Sequence, residues 1–317
     1  MTDFLNYLLL GITRGSMYAL IALGYTLVYG VLQLINFAHS EVFMSGAFGS
    51  YLVVHAIFGA GHNATGVEQV LVVLVGLASG AATGVFVAYV LERVAYRPLR
   101  RRGAPKLAFL ISAIGASFFL AQLFGKLFNR LGNNQFPDYL NKNSTLFTIF
   151  GAQVKLLQVV IIVSAVLLMI FLDRLVSGTK LGRGIRATAE DAPTAALMGV
   201  DIDRTISRTF MIGGALAGAA GFLFASAFVF TNTMGFIPGI KAFAAAVLGG
   251  IGNIRGAMIG GLLLGVAENL IPTAPWISGQ DPWIGTQWTD VVAFVILILI
   301  LVFRPTGILG ERLGRAA

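Results

Sequence analysis

Long apolar runs, separated by short polar stretches, are the dominant pattern along the chain. Most of these runs are long enough to cross a hydrocarbon layer of about 30 Å as helices. They predict membrane helices at 4–32, 41–58, 67–92, 107–128, 153–173, 208–230 and 288–303, and a glycine-interrupted segment at 240–271. The predicted fold is an all-α polytopic membrane helix bundle of about eight membrane segments, one of them broken, in a single domain over residues 1–317.

The basic residues are concentrated between the apolar runs. Of the 22 lysines and arginines, six lie in 93–106, six in 174–208 and three in 304–315. Short basic connectors face the cytoplasm. Counting crossings from them predicts a periplasmic N-terminus and a cytoplasmic C-terminus. The same count places loop 129–152 in the periplasm. It also requires the broken segment to start and finish on the outer side, and only Arg14, inside the first span, disagrees with this orientation.

Composition excludes several classes of function. Hydrophobic residues make up 57% of the chain and charged residues 11%, against about 25% charged in a soluble domain. The net charge of +8 lies mainly in the connectors, which argues against nucleic-acid binding. No cysteine is present, the histidines have no metal-ligand spacing, and no phosphate-binding loop occurs. We therefore expect no metal, no cofactor and no catalytic site in this chain.

Glycines recur four residues apart within the apolar runs. Small residues at this spacing allow helix backbones to approach closely, which favours packing inside a bilayer. The series are Gly11 and Gly15; Gly76, Gly80 and Gly84; Gly214 and Gly218; Gly252, Gly256 and Gly260; and Gly261 and Gly265. They indicate a closely packed bundle and carry no information about cargo.

Three polar residues, Asn36, His39 and Glu41, occur within six positions in the apolar stretch "LQLINFAHSEVFMSGAF". One interpretation is structural: Asn36 caps the second helix, and Glu41 lies in its first turns, where the helix dipole favours an acid. The other is a role in a translocation path or gate, because Ser45 and Gly49 continue the Glu41 stripe at i+4 spacing.

The broken segment contains "AAAVLGGIGNIRGAMIGGLLLGVAENL", in which glycines, Asn253 and Arg255 interrupt the apolar pattern. Discontinuous helices of this kind often form solute sites in transporters. Arg255 either meets a carboxylate or lies in cytoplasmic water, and the second is favoured by the positive-inside tendency. Glu268 either faces the bundle interior or reaches the outer interface.

The stretch 180–208 is too polar to span a membrane. Pro193 stands near a predicted helix start, where Glu190 and Asp191 complement the positive end of the dipole. The small apolar group 195–199 follows. This pattern is typical either of a plug for the groove of another protein or of an interfacial connector between two spans.

Five blocks together resemble the H-type permease of bacterial branched-chain amino-acid ATP-binding-cassette importers. They run in register over essentially the whole chain. The blocks are "GSMYALIALGYTLVYGVLQLINFAHSEVFMSGAF", "LERVAYRPLRRRGAPKLAFLISAIGASFFLAQ", "GRGIRATAEDAPTAALMGVDIDR", "GIKAFAAAVLGGIGNIRGAMIGGLLLGVAEN" and "FRPTGILG".

The resemblance implies an inner-membrane permease subunit that moves leucine, isoleucine and valine. Its implied partners are a related M-type permease, two cytoplasmic ATPases that bind ATP and Mg²⁺, and a periplasmic substrate-binding protein. The segment 179–205 becomes a cytoplasmic coupling segment seated on the ATPases. The implied coupling residues are Gly182, Arg186, Glu190, Asp191, Ala196 and Gly199. The candidate path residues are Asn36, His39, Glu41, Asn253 and Glu268.

Two alternatives remain open at this point. The same architecture serves urea, short amides or other amino acids in neighbouring subfamilies. A different class, an energy-independent channel for a small polar solute, fits the broken glycine-rich segment but not the 180–208 plug.

Overall fold

The computed structural model describes residues 2–59, 64–128, 136–141, 144–271, 288–304 and 306–310. Parts of the predicted outer loop, at 129–135 and 142–143, lie outside the described residues, and so does the predicted cytoplasmic C-terminus at 311–317.

The described chain consists mainly of helices joined by short connections, with one short β-hairpin. The helices are α1 Thr2–Leu32, α2 His39–Phe58, α3 Val67–Leu91, α4 Arg97–Arg101, α5 Lys106–Phe128, α6 Leu156–Gly178, α7 Lys180–Glu190, α8 Ala192–Leu197, α9 Ile202–Ala227, α10 Phe236–Gly249, α11 Ile254–Leu270 and α12 Thr289–Phe303. A π-helical turn, Glu92–Tyr96, joins α3 to α4.

Six of these segments are long and apolar enough to cross a membrane: α1, α2, the continuous run from α3 to α4, α5, α6 and α9. The paired helices α10 and α11 make a seventh segment, and α12 makes an eighth. The predicted number of segments is therefore confirmed. α9 begins at Ile202 rather than 208, because Asp201 caps it by accepting a hydrogen bond from the Arg204 N–H at 2.9 Å.

Helix α1 runs through the centre of the bundle and packs against α11, α9, α10 and α6. Its middle turns are entirely buried, including Leu20, Ile21 and Leu23. A helix that is apolar on all sides is expected at such a position. By contrast, α5 contacts mainly α2 and the π-helical turn, and its large side chains are mostly exposed, as a lipid-facing helix requires.

Most of the glycines in the series identified in the sequence lie at close contacts between helices. Gly11 and Gly15 on α1 lie against α11, where a Cβ on Gly15 would be 2.9 Å from the Cα of Leu262. Gly84 on α3 lies against Gly214 on α9, so closely that a Cβ on either residue would overlap the backbone of the other. The predicted role in close packing is confirmed for these series except at Gly252, where no atom lies within 4 Å of a Cβ built on the residue.

The segment predicted to be broken is a helical hairpin. α10 and α11 pack against each other, and the turn between them includes Gly250 at φ +108° and Gly252 at φ +95°, backbone conformations that favour glycine. Residues beyond α12 cover this turn, since the N–H groups of Ile308 and Leu309 donate to the carbonyls of Leu248 and Gly249 at 2.8 and 3.0 Å. Residues of the same chain therefore cover the irregular backbone of the turn.

The two ends of the bundle differ in charge. We call the end that carries connectors 93–106 and 179–201 the basic side. The turn of the α10–α11 hairpin lies there, because Arg255 pairs with Asp173 near the end of α6 at 3.2 Å. The open end of the hairpin lies on the opposite side, with the start of α12 and the N-terminal half of α1. The segment 240–271 therefore starts and finishes on the side opposite the basic connectors, as predicted.

A β-hairpin, not predicted as an element, forms part of the loop before α6. Strand β1, Thr145–Ile149, pairs antiparallel with β2, Ala152–Lys155. It adjoins the start of α1, where the Asn6 side chain accepts a hydrogen bond from the Gln153 N–H at 3.3 Å. Because β2 occupies 152–155, α6 begins at Leu156, three residues later than predicted.

Candidate functional site

A cavity of about 540 Å³ opens between five helices on the opposite side of the bundle. Its walls come from α1, α9, α10, α11 and α12. Phe224, Phe228 and Met234 supply apolar surface, while four charged side chains also reach it. Cavities of this size that combine apolar walls with a few convergent polar groups are the usual form of small-molecule sites.

The charged groups of the cavity centre on Glu268, which is only 1% exposed. Its Oε1 accepts hydrogen bonds from the Lys241 ammonium at 2.7 Å and from the Tyr18 hydroxyl at 3.3 Å. Arg14 lies 3.8 Å from the same oxygen. Since an isolated buried carboxylate is costly, these three partners explain how Glu268 is accommodated inside the bundle.

Lys241 connects two carboxylates. Besides Glu268, its ammonium contacts Asp290 at 2.5 Å, and it lies over the ring of Tyr18 at 5.8 Å. Lys241 stands on α10, Glu268 on α11 and Asp290 on α12, so this network joins both arms of the hairpin to the last membrane helix.

Of the candidate path residues, Glu268 alone lines this cavity among the described residues. The expectation that it faces the bundle interior is confirmed by its burial and its three partners. Sequence reasoning missed Lys241 and Asp290, and it treated Arg14 only as an orientation marker. The sequence nevertheless contained a clue to this cluster, because two cations and two acids in otherwise apolar segments must be paired or solvated.

Asn36 and His39 do not line this cavity. Asn36 is buried and its Oδ1 accepts a hydrogen bond from the Tyr96 hydroxyl at 2.5 Å. It does not cap α2: the capping position is Ala38, and no side-chain cap bond is present there. The capping interpretation was therefore wrong, since Asn36 instead joins the α1–α2 connection to the π-helical turn.

His39 is packed into the core beside α1. Its ring makes an edge contact with Tyr25 at 4.8 Å between centroids, and it fills the space that a side chain at Gly24 would take. Among the described residues its Nε2 has no hydrogen-bond partner.

Glu41 is buried between α2 and α5. Its Oε1 accepts hydrogen bonds from Ser117 at 3.1 Å and Ser40 at 3.5 Å. Its Oε2 has no hydrogen-bond partner in the part of the chain that the structure describes. Glu41 lies in the first turn of α2, as predicted. Its role in a translocation path remains a prediction.

Asn253 has a structural place in the hairpin turn. Its Oδ1 caps α11 by accepting from the Gly256 N–H at 2.9 Å, and its Nδ2 donates to the Leu309 carbonyl at 2.8 Å. Both ends of the amide are thereby used. Arg255 beside it meets the Asp173 carboxylate at 3.2 Å and is also largely exposed, so the structure combines the two alternatives.

The polar segment on the basic side forms two short helices, α7 and α8. α7 begins at the cap Thr179 and packs Gly182, Ile185 and Thr188 against the ends of α1, α6 and α9. A side chain at Gly182 would overlap the carbonyl of Val176, and the Arg186 guanidinium donates to that same carbonyl. These contacts hold α7 firmly across the basic end of the bundle.

α8 carries the predicted apolar group into solvent. Asp191 caps it by accepting from the N–H and hydroxyl of Thr194, which lowers the pKa of the Asp191 carboxyl. Ala195 packs inward, whereas Leu197 and Met198 are 89% and 81% exposed. The last four coupling candidates, Glu190, Asp191, Ala196 and Gly199, are likewise exposed, and Gly199 ends the helix at φ +87°. We call residues 195–199 the α8 knob.

An arginine cluster connects the two basic connectors. Asp203 in the first turn of α9 accepts hydrogen bonds from Arg97, Arg100 and Arg101, at 2.7 to 3.2 Å. Arg100 also donates to the fully buried Glu92 at 3.1 Å, and Ser207 donates to the same carboxylate at 2.7 Å. The start of α9 is thus bound to the π-helical turn and α4, a link that sequence reasoning did not anticipate.

Comparison with known proteins gives consistent matches over nearly the full chain. A family model described as "Branched-chain amino acid transport system / permease component" matches residues 7–301. The chain is 42% identical over 311 residues to the high-affinity branched-chain amino acid transport system permease protein LivH of Escherichia coli K12, covering 97% of this chain and 96% of that protein. The Salmonella typhimurium LivH is 41% identical and BraD of Pseudomonas aeruginosa 43% identical, each with the same coverage. No solved structure matches.

Proposed function

Because the chain belongs to the branched-chain amino acid transport system permease family, we propose that it lines the path of leucine, isoleucine and valine in an ATP-driven importer. It is a multi-pass membrane permease, and the relatives are named as permease proteins rather than enzymes. In the proposed assembly the ATPases that bind ATP and Mg²⁺ are separate subunits. A related M-type permease and a periplasmic binding protein complete the transporter.

The observation that carries this proposal is the exposed α8 knob. Leu197 and Met198 are large apolar side chains in a polar segment, yet almost all of their surface is open. An exposed apolar group on a short, firmly held helix is suited to bury itself in the groove of another protein. Its position on the basic side corresponds to the cytoplasm under the positive-inside rule, where the ATPases would lie.

The contacts around the α8 knob support transmission of movement into the bundle. α8 packs on α7 and α9, and the arginine cluster ties the start of α9 to α4. At its other end α9 supplies Phe224 to the wall of the cavity. In our proposal, a displacement of the α8 knob by the ATPases moves α9 as a rigid rod and so changes access to the cavity.

The test removes the apolar character of the α8 knob while keeping its backbone. Leu197→Asp combined with Met198→Asp is expected to reduce ATP-dependent leucine uptake by at least about tenfold, since buried apolar anchors dominate docking energies. The assembled transporter in proteoliposomes is assayed for uptake and ATP hydrolysis. Leu197→Met, which keeps the apolar surface, is the matched control and should retain uptake.

Undiminished uptake by the double Asp variant would exclude the α8 knob as the coupling contact. Leucine flux through the chain in liposomes without ATPase subunits would instead support an energy-independent channel.

A further inference from the structure

The charges around the cavity are balanced in number. Arg14 and Lys241 contribute two positive charges, while Glu268 and Asp290 contribute two negative ones. A ligand with a single charge would leave one charge in this site uncompensated, which is expensive in a water-poor environment. A ligand that carries both signs keeps the balance.

Two of these groups retain unused hydrogen-bonding capacity. The Oε2 atom of Glu268 is buried and has no hydrogen-bond partner among the described residues, although its Oε1 has two. Arg14 donates one hydrogen bond in the described structure, to the Asn269 side chain at 3.2 Å, whereas a guanidinium has five N–H donors. An acceptor for an ammonium and a donor for a carboxylate therefore stand beside each other.

The spacing of these two groups suits adjacent opposite charges. The Arg14 Nη1 and Glu268 Oε1 atoms are 3.8 Å apart. In a free α-amino acid the ammonium and the carboxylate are attached to the same carbon, so both charges must be met within a few ångströms. The Arg14 guanidinium and the Glu268 carboxylate both line one cavity, which provides that arrangement.

The helix dipoles of α10 and α11 place one positive and one negative end at the cavity. α10 begins at this cavity, so its positive dipole end faces it, and α11 finishes there with its negative end. The positive end favours an anionic group and the negative end a cationic one. Both arms of the hairpin thus support a ligand with separated charges.

Part of the remaining wall is apolar. Phe224, Phe228, Met234 and Ile237 line the cavity, and the Arg14 guanidinium lies 5.4 Å from the centre of the Phe228 ring. An aliphatic side chain attached to the charged carbon would be buried against these residues. The volume of about 540 Å³ lies within the usual range of small-molecule sites.

We propose that this cavity binds a free aliphatic α-amino acid as its zwitterion, with the carboxylate at Arg14 and the ammonium at Glu268 and Asp290. The proposal rests on the proposed transport function and adds a location and a recognition mode to it. Arg14, Lys241 and Asp290 are thereby assigned to cargo recognition, with Lys241 holding the two carboxylates in position.

A cysteine-protection experiment tests the site without altering its charges. The chain contains no native cysteine, so a single introduced cysteine labels uniquely within this subunit. Thr233→Cys places a thiol at the cavity wall, and Thr148→Cys places one on the exposed β-hairpin beside the start of α1. In the assembled transporter, L-leucine should slow labelling of Thr233→Cys by a water-soluble maleimide and leave Thr148→Cys unaffected.

Two leucine analogues, each lacking one charged group, test the two charges of the ligand one at a time. 4-Methylpentanoate lacks the ammonium of leucine, and 3-methylbutylamine lacks its carboxylate. Each is expected to require about 10- to 100-fold higher concentration than leucine for equal protection, because each loses a charge-assisted hydrogen bond. If 4-methylpentanoate protected as well as leucine, the site would recognise only the carboxylate, and the proposal would be overturned.

Arg14→Gln in the Thr233→Cys background should raise the protecting leucine concentration by about 10- to 100-fold. Protection by 3-methylbutylamine should change little. Arg255→Gln, which removes an exposed cation on the basic side, is the control and should leave leucine protection unchanged.

Uptake assays on the same preparation distinguish failure of the zwitterion site from failure of the proposed transport function. ATP-dependent leucine uptake without any protection of Thr233→Cys would overturn the zwitterion site and leave the transport function standing. Protection without uptake would support the site and count against the transport function. Absence of both would overturn both.

Discussion

Lys241→Met is expected to lower the free energy of unfolding by about 3 kcal/mol, because it removes the closest partner of a buried carboxylate. Glu268 is 1% exposed and Lys241 donates to it at 2.7 Å. The expected loss is at the lower end for a broken buried pair, since Arg14 remains 3.8 Å away. Denaturant-induced unfolding of the purified chain in detergent micelles measures the change.

The double variant Lys241→Met with Glu268→Gln should recover more than half of that loss, because no unpaired buried charge remains. Arg255→Gln is the matched control: it breaks a largely exposed pair and should cost less than about 1 kcal/mol. Equal losses for Lys241→Met and Arg255→Gln would show that burial of the Lys241–Glu268 pair is not the source of its stability.

Gly84→Val is expected to destabilise the bundle by at least about 3 kcal/mol and to reduce the amount of folded protein in the membrane. A Cβ at this position would overlap the Gly214 carbonyl oxygen and lie 3.0 Å from the Cα of Gly218. Those atoms belong to the backbone of α9, so the new side chain cannot be accommodated by a rotamer change. Helices α3 and α9 must move apart, and the detergent unfolding assay measures the cost.

Gly115→Val is the control for this prediction. Gly115 also lies within a helix, α5, but no atom lies within 4 Å of a Cβ built there. The substitution should therefore change stability by less than about 1 kcal/mol. A Gly84→Val variant as stable as Gly115→Val would mean that α3 and α9 are not packed as closely as the structure places them.

The local features of the sequence predicted the architecture well. Patterns within single segments of the chain predicted the spans, the basic connectors, the interruption at 240–271 and a helix start near Pro193. The family assignment made from five blocks is confirmed by matches over 97% of the chain. Each of these features depends on residues close in sequence, where hydropathy, charge and helix capping act directly.

Errors arose where a side chain had more than one available partner. One interpretation had Asn36 capping α2, but the structure pairs it with Tyr96, sixty positions away in the sequence. Arg14 was treated as a marker against the predicted orientation, but it is held by Asn269 and Glu268. Local rules cannot choose between a nearby backbone group and a distant side chain, because the choice depends on which helices become neighbours.

The sequence by itself determined that this chain is a membrane helix bundle of a known permease family, with a broken segment and a small apolar group in the polar connector between two spans. Only the tertiary structure decided that Arg14, Lys241, Glu268 and Asp290, from four different helices, share one cavity. The physical reason is that a membrane helix is specified by its own residues, whereas the pairing of buried charges is settled by close packing between helices. That packing depends on backbone approaches at glycines, whose partners are not encoded in any single segment.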